Sequence, residues 1–157
     1  MLAVIEKVQD GYIARFERHP RHSTRQVWSL LTENDKLAQW FPELRIADFR
    51  EGGSLKFAWN GTEDELTIAE LKTYSVLEFT WWGDGVRFEL DSEPDGCRLV
   101  LKRKIKTMTD HTPKDLTGWH VCLDVICALL DGKTVEPREE QFQEWYGKYV
   151  QAVAEQQ

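Results

Sequence analysis

The chain has 157 residues and a mass of 18.4 kDa, the size of one compact domain with a core of its own. Hydrophobic residues make up 41% and charged residues 30%, a mix that excludes a disordered or low-complexity chain. Lys and Arg number 20 against 27 Asp and Glu, a net charge of −7 that excludes general condensation on phosphate backbones, so no nucleic acid is expected as a partner.

No apolar stretch approaches the ~20 residues that span a bilayer, and no basic-then-apolar leader precedes a small-residue cleavage site. A cytoplasmic chain with no membrane partner is the expectation. Cys97, Cys122 and Cys127 are an odd set without CxxC spacing, so neither a disulfide framework nor a structural zinc site is encoded and they read as core thiols. Seven Trp, seven Phe and four Tyr are more ring surface than a small core needs for filling, which points to a large aromatic interior.

Tyr12, Ala14 and Phe16 alternate with Ile13, Arg15 and Glu17, predicting a first strand that ends before His19-Pro20. Ser23 and Gln26 form a capping box ahead of Val27, Trp28 and Leu31 at helical spacing. Thr32 is placed to cap a second short helix carrying Leu37 and Trp40, which Pro42 terminates. From Glu43 to Lys104 alternation recurs between Gly-rich turns, predicting six antiparallel strands. Leu55, Phe57 and Trp59 share a face with Leu66, Ile68, Leu77, Phe79 and Trp81, and further on with Val86, Phe88, Leu90, Leu99 and Leu101. The other face carries Lys56, Glu78, Arg87, Glu89, Asp91, Arg98, Lys102 and Lys104 and is wet.

A sheet with one apolar face needs a cover. Thr112 as cap, Pro113 at the first helical position and Asp115 in the first turn open a helix over about 113–131 that supplies it. Leu116, Trp119, Leu123, Cys127 and Leu130 are its main stripe. A last helix over about 137–154 carries Phe142, Trp145, Tyr146, Tyr149 and Val153, a stripe suited to the domain itself or to a partner.

This element order is that of the helix-grip, or START-like, fold, an α+β plan of β-α-α-β6-α with a curved antiparallel sheet wrapped on a long helix, here with one additional C-terminal helix. The stretches Val27-Trp28 to Trp40-Phe41-Pro42, Gly52-Gly53-Ser54-Leu55-Lys56-Phe57, Leu77-Glu78-Phe79-Thr80-Trp81, Asp95-Gly96-Cys97-Arg98-Leu99-Val100-Leu101 and Gly118-Trp119 to Leu130 resemble, in order, the blocks of the activator of heat-shock-protein ATPase homologue-like family. His19-Pro20-Arg21-His22-Ser23 departs from the Ala-Pro usual there, and Cys97 stands where Thr is common. The resemblance covers about nine-tenths of the chain and implies a single START-like domain over 1–157, with a cavity between sheet and long helix used for apolar or amphipathic molecules. It does not imply chaperone activation, because the chain is too short to hold the separate chaperone-binding domain of the eukaryotic co-chaperone.

Trp40, Phe57, Trp59, Phe79, Trp81, Phe88 and Trp119 are the candidate cavity walls, since flat rings offer apolar area and Trp keeps an N–H to orient a polar group. Leu123 continues that face. His120, at the edge of the stripe, suits a general base, a ligand hydrogen-bond partner or a satisfied structural residue, and a lone His on an apolar face is most often the last. Strict alternation aims Arg103 at the cavity mouth, where it could hold a carboxylate, unless the strand has already ended. Arg15, Arg18, Arg21 and Arg25 with His19 and His22 lack the interleaved aromatics of a nucleic-acid patch and read as a solvated edge. No phosphate loop, metal-spaced His or Cys set, or nucleophile with base and orienter is present, so no cofactor, metal or catalytic residue is expected. The leading expectation is non-catalytic binding of a hydrophobic small molecule. Its rivals are a cyclase- or hydrolase-like enzyme using His120 and Arg103, and an interaction protein that uses the Trp145–Tyr149 face for a homodimer or a chaperone.

Overall fold

The computed structural model describes residues 1–156. Its elements run β1 (Val4–Val8), β2 (Gly11–Arg18), α1 (Thr24–Thr32), α2 (Asn34–Trp40), β3 (Leu44–Asp48), β4 (Ser54–Trp59), β5 (Thr62–Lys72), β6 (Val76–Trp81), β7 (Asp84–Glu93), β8 (Gly96–Ile105), α3 (Thr112–Leu130) and α4 (Arg138–Ala154). All eight strands join one antiparallel sheet in the order β1-β2-β8-β7-β6-β5-β4-β3. The meander from β3 to β8 and the return of β2 to pair with β8 are the α+β helix-grip plan expected from the alternation.

β1 is the addition. Val4 and Val8 are largely exposed and only Ile5 is half-buried, so this edge strand lacks the buried alternation by which the others are recognised. β5 spends its first half on β4 and its second half on β6, and a register shift between Ile68 and Glu70 marks where the ladder bends.

The inward face is a continuous dry layer in which Leu55, Leu66, Ile68, Leu77, Phe79, Val86, Phe88, Leu99 and Leu101 are each at most 2% exposed. The outward face is charged and ordered. Arg87 donates to Glu70, Glu78 and Glu89, while Lys104 and Lys102 add contacts to Glu78 and Glu89.

α3 lies across the inward face, and α1 and α2 close one end. The Ser23–Gln26 capping box is formed in both directions, Ser23 Oγ accepting from Gln26 N–H and Gln26 Oε1 from Ser23 N–H. Two other expected caps are not made. Thr32 sits in the last turn of α1 and donates to the Trp28 carbonyl, leaving Glu33 to start α2. Thr112 begins α3 but accepts from the Thr109 N–H, which tightens the preceding turn instead of capping the helix. α4 packs back on α3 through Tyr149 and Val153, its two buried residues, while Phe142, Trp145 and Tyr146 stay half-buried. No helix of the described residues is long and apolar enough to cross a membrane.

Candidate functional site

Toward the N-terminal end of α3 the helix and the sheet do not close on one another. A cavity of about 650 Å³ opens there, walled by Phe57 and Trp59 of β4, Trp81 of β6, Phe41 after α2, and Gly118 and Trp119 of α3. α4 contributes Arg138 and Phe142, and Glu43, Lys114 and Cys122 stand among the remaining wall residues. The rings support one another edge to face: the Trp81 centroid is 5.1 Å from that of Trp119 and 6.0 Å from those of Phe41 and Phe57. Trp82, at the β6–β7 turn, is held at φ +43° with its ring 4.9 Å from Phe57 and 4.8 Å from Trp81, although it remains half exposed. A bulky residue in the left-handed region is costly, so this turn carries local strain in order to stand an indole at the rim.

A second, more polar space of about 440 Å³ adjoins the first and shares Phe57, Trp81, His111 and Asp115 with it. Arg103 points into this seam. β8 runs on to Ile105, so the alternation is unbroken, and Arg103 Nε donates to Asp115 Oδ2 at 2.8 Å with two further bonds to the Gly85 and Lys104 carbonyls. The carboxylates it holds are therefore the protein's own, Asp115 of the long helix and, at 3.5 Å, Asp84 of β7. Trp81 Nε1 donates to the other Asp115 oxygen at 3.3 Å. Burial raises the Asp115 carboxyl above its ordinary range, against the downward pull of Arg103 and Trp81.

The other candidates lie off these walls. Trp40 is 1% exposed, with its Nε1 donating to the Leu30 carbonyl, and it packs behind Phe41 and against Phe88. Phe79, Phe88 and Leu123 are each 1% exposed and belong to the dry layer. Trp59 is on the wall but 62% exposed, so it forms the rim.

His120 is fully buried in the seam between α3, β2 and α4. Tyr149 OH accepts from the Ala3 N–H at 3.0 Å and donates to His120 Nδ1 at 2.7 Å, which leaves the ring proton on Nε2. Nε2 faces Asp124 Oδ2 at 3.2 Å, within ion-pair distance but without the alignment of a hydrogen bond. Arg18 bonds the other Asp124 oxygen at 3.1 Å, and Trp145 lies over the imidazole at 4.2 Å. Burial pushes the His120 pKa below its usual value, outweighing Asp124. This chain ties the N-terminal segment, α3 and α4 together on the side of α3 away from the cavity. Most of the basic cluster nearby is matched as well: Arg15 by Glu17, His19 by Glu17 and Glu93, and His22 by Asp131.

Phe41, Gly118, Cys122 and Arg138 line the cavity but are not among the wall residues expected from the sequence, where Cys122 reads as a core thiol. Gly118 carries the one signal that could have been used, a glycine inside a strongly predicted helix. Such a glycine costs ~1 kcal/mol relative to Ala unless something needs the space.

The family model described as Activator of Hsp90 ATPase homolog 1-like protein matches residues 21–131. No curated protein matches. Among solved structures, a conserved protein of unknown function from Enterococcus faecalis superposes with a TM-score of 0.87 at 24% identity, covering 99% of this chain and 92% of its own. CalU16 from Micromonospora echinospora gives 0.66 at 21% identity over 95% of this chain and 94% of its own. The Aha1 dimer from Colwellia psychrerythraea gives 0.66 at 19% identity over 75% of this chain and 95% of its own. At these identities the likeness is one of fold.

The buried neutral imidazole has a pH consequence. Below an ordinary His value of 6.5 the unfolded chain takes up a proton that the folded chain resists, so the stability from His120 is complete above 6.5 and is lost as pH falls below it. His19 acts in the opposite sense, since Glu93 and Glu17 raise its pKa, but its side chain is 48% exposed and its contribution is screened. Thermal melts of wild type and His120→Gln at about pH 7.5 and about pH 5.5 should show a steeper acid loss in the wild type. Equal slopes would contradict the neutral buried ring.

Proposed function

The chain belongs to the activator of Hsp90 ATPase homolog 1-like family, and on that premise we propose that it binds a hydrophobic or aromatic small molecule in the cavity between sheet and α3 without catalysing a reaction. The observation that carries this reading is Gly118. It faces the cavity from within α3, and a Cβ built there would meet nothing within 4 Å. A mid-helix glycine is normally repaid by close packing. Here the position its missing Cβ leaves empty adjoins the opening of about 650 Å³ beside Trp81 and Trp119. Rings on several sides suit an apolar ligand body.

The reacting groups favour binding over chemistry. His120 is tied into the α3–α4 seam rather than the cavity, and burial pushes the Cys122 thiol on the wall up to about 11. The cytoplasmic location expected from the sequence is part of the same proposal, supported by the free thiols of Cys97, Cys122 and Cys127.

A second reading, self-association, has support from the solved dimer of the Colwellia psychrerythraea relative and from Trp59 and Trp82, which are 62% and 52% exposed beside the two spaces. Light scattering at increasing concentration should give twice the monomer mass, falling toward the monomer in a Trp59→Ser/Trp82→Ser variant. A monomer at all concentrations removes this reading.

For the binding site, uncharged N-phenylnaphthylamine should saturate one site and quench Trp emission. Gly118→Leu should project into the space beside Trp81 and Trp119, leave stability within ~1 kcal/mol of wild type or raise it, and abolish the saturable binding by obstruction. Full probe binding by a folded Gly118→Leu variant would refute the cavity as the site.

A further inference from the structure

We infer that the ligand is an amphipathic anion, an aromatic or aliphatic body carrying a carboxylate, sulfonate or similar head, and that Lys114 and Arg138 receive the head. This rests on the cavity being a ligand site and adds the charge of what it takes. Besides the Cys122 thiol, five ionisable side chains face the cavity: Glu43, His111, Lys114, Asp115 and Arg138. Asp115 is already matched by Arg103 at 2.8 Å. What is left is one carboxylate, Glu43, against two cations and an exposed imidazole.

Neither cation is paired. Among the described residues Lys114 and Arg138 form no ion pair, and the guanidinium of Arg138 has one hydrogen bond, from Nη2 to the Cys122 sulfur at 3.2 Å. A guanidinium is a rigid fork of five donors suited to two oxygens of one anion, and a thiol uses one of those donors poorly. The chain does not lack carboxylates, since its net charge is −7 and Arg87 alone gathers three of them. Lys114 and Arg138 are exposed, have no carboxylate partner and stand at the mouth of an aromatic cavity, and that place leaves them open to an acceptor from outside.

The two come from different elements. Lys114 lies in the first turn of α3, and Arg138 opens α4, beyond the 21–131 stretch that matches the family. α4 also lends Phe142 to the wall. The added helix thus supplies both an apolar contact and a head-group contact, which makes it the element that sets ligand class in this chain.

The test uses two probes with the same rings, anilinonaphthalene sulfonate and N-phenylnaphthylamine, titrated into wild type, Arg138→Gln, Lys114→Gln, Arg138→Lys and Gly118→Leu. Each Gln variant should weaken the sulfonate probe by about fivefold and leave the uncharged probe within about twofold, with Arg138→Lys recovering part of the loss. Added salt should weaken only the sulfonate probe, and Gly118→Leu should abolish both. Equal effects on the two probes, no effect of either Gln variant, or sulfonate binding that survives Gly118→Leu would overturn the anionic assignment while leaving the apolar site standing. Failure of the uncharged probe to saturate the wild type would instead overturn the underlying binding reading.

Discussion

Arg103 and Asp115 meet where the last strand of the sheet passes beneath the first turn of α3, with side chains only 7% and 12% exposed. Two charges in so dry a place are tolerated because each is hydrogen-bonded further, Arg103 by the Gly85 and Lys104 carbonyls and Asp115 by the Trp81 indole. Such a pair adds little net stability, whereas loss of either member typically costs about 3–5 kcal/mol. Its value lies in position: it fixes the start of α3 over the C-terminal end of β8, an interior strand of the sheet. The two spaces beside α3 both reach Asp115 of this contact.

From that point along α3 the same helix does two different jobs. Leu116, Leu123 and Ile126 are at most 1% exposed and belong to the buried core, as a cover for an apolar sheet must. Gly118 and Trp119 leave or line the opening instead. On the side away from the cavity, His120, Tyr149 and the Ala3 N–H fasten α4 and the N-terminal segment to α3. Fastening α4 there holds its first turn, with Arg138 and Phe142, at the cavity mouth. Fold and site are thus linked through α3, with one buried polar contact at its beginning and another at its middle.

The strands and helices were legible because their burial is periodic. Leu77, Phe79, Phe88, Leu99 and Leu101 alternate in sequence and are buried in the structure. β1 was not legible, since an edge strand with exposed residues on both faces leaves no such trace. The limits of periodicity also explain the site. Alternation assigns a face but not a depth: Phe57 and Phe79 share a face, yet the first lines the cavity and the second is sealed behind it. Trp82 escaped because its ring is placed by a positive φ in a turn, outside any alternation. Arg138 meets Cys122 across 16 residues and Tyr149 meets His120 across 29, pairings that depend on how α4 folds back and leave no mark in local sequence.

The space beside Gly118 should be a place for a ligand and not a defect in packing. A crystal structure of the protein soaked with anilinonaphthalene sulfonate tests it most directly. The fused rings are expected among Phe57, Trp81 and Trp119, with the sulfonate between Lys114 and Arg138. A cavity that stays empty while the probe lies on the outer surface, or side chains that collapse to fill the space, would contradict it.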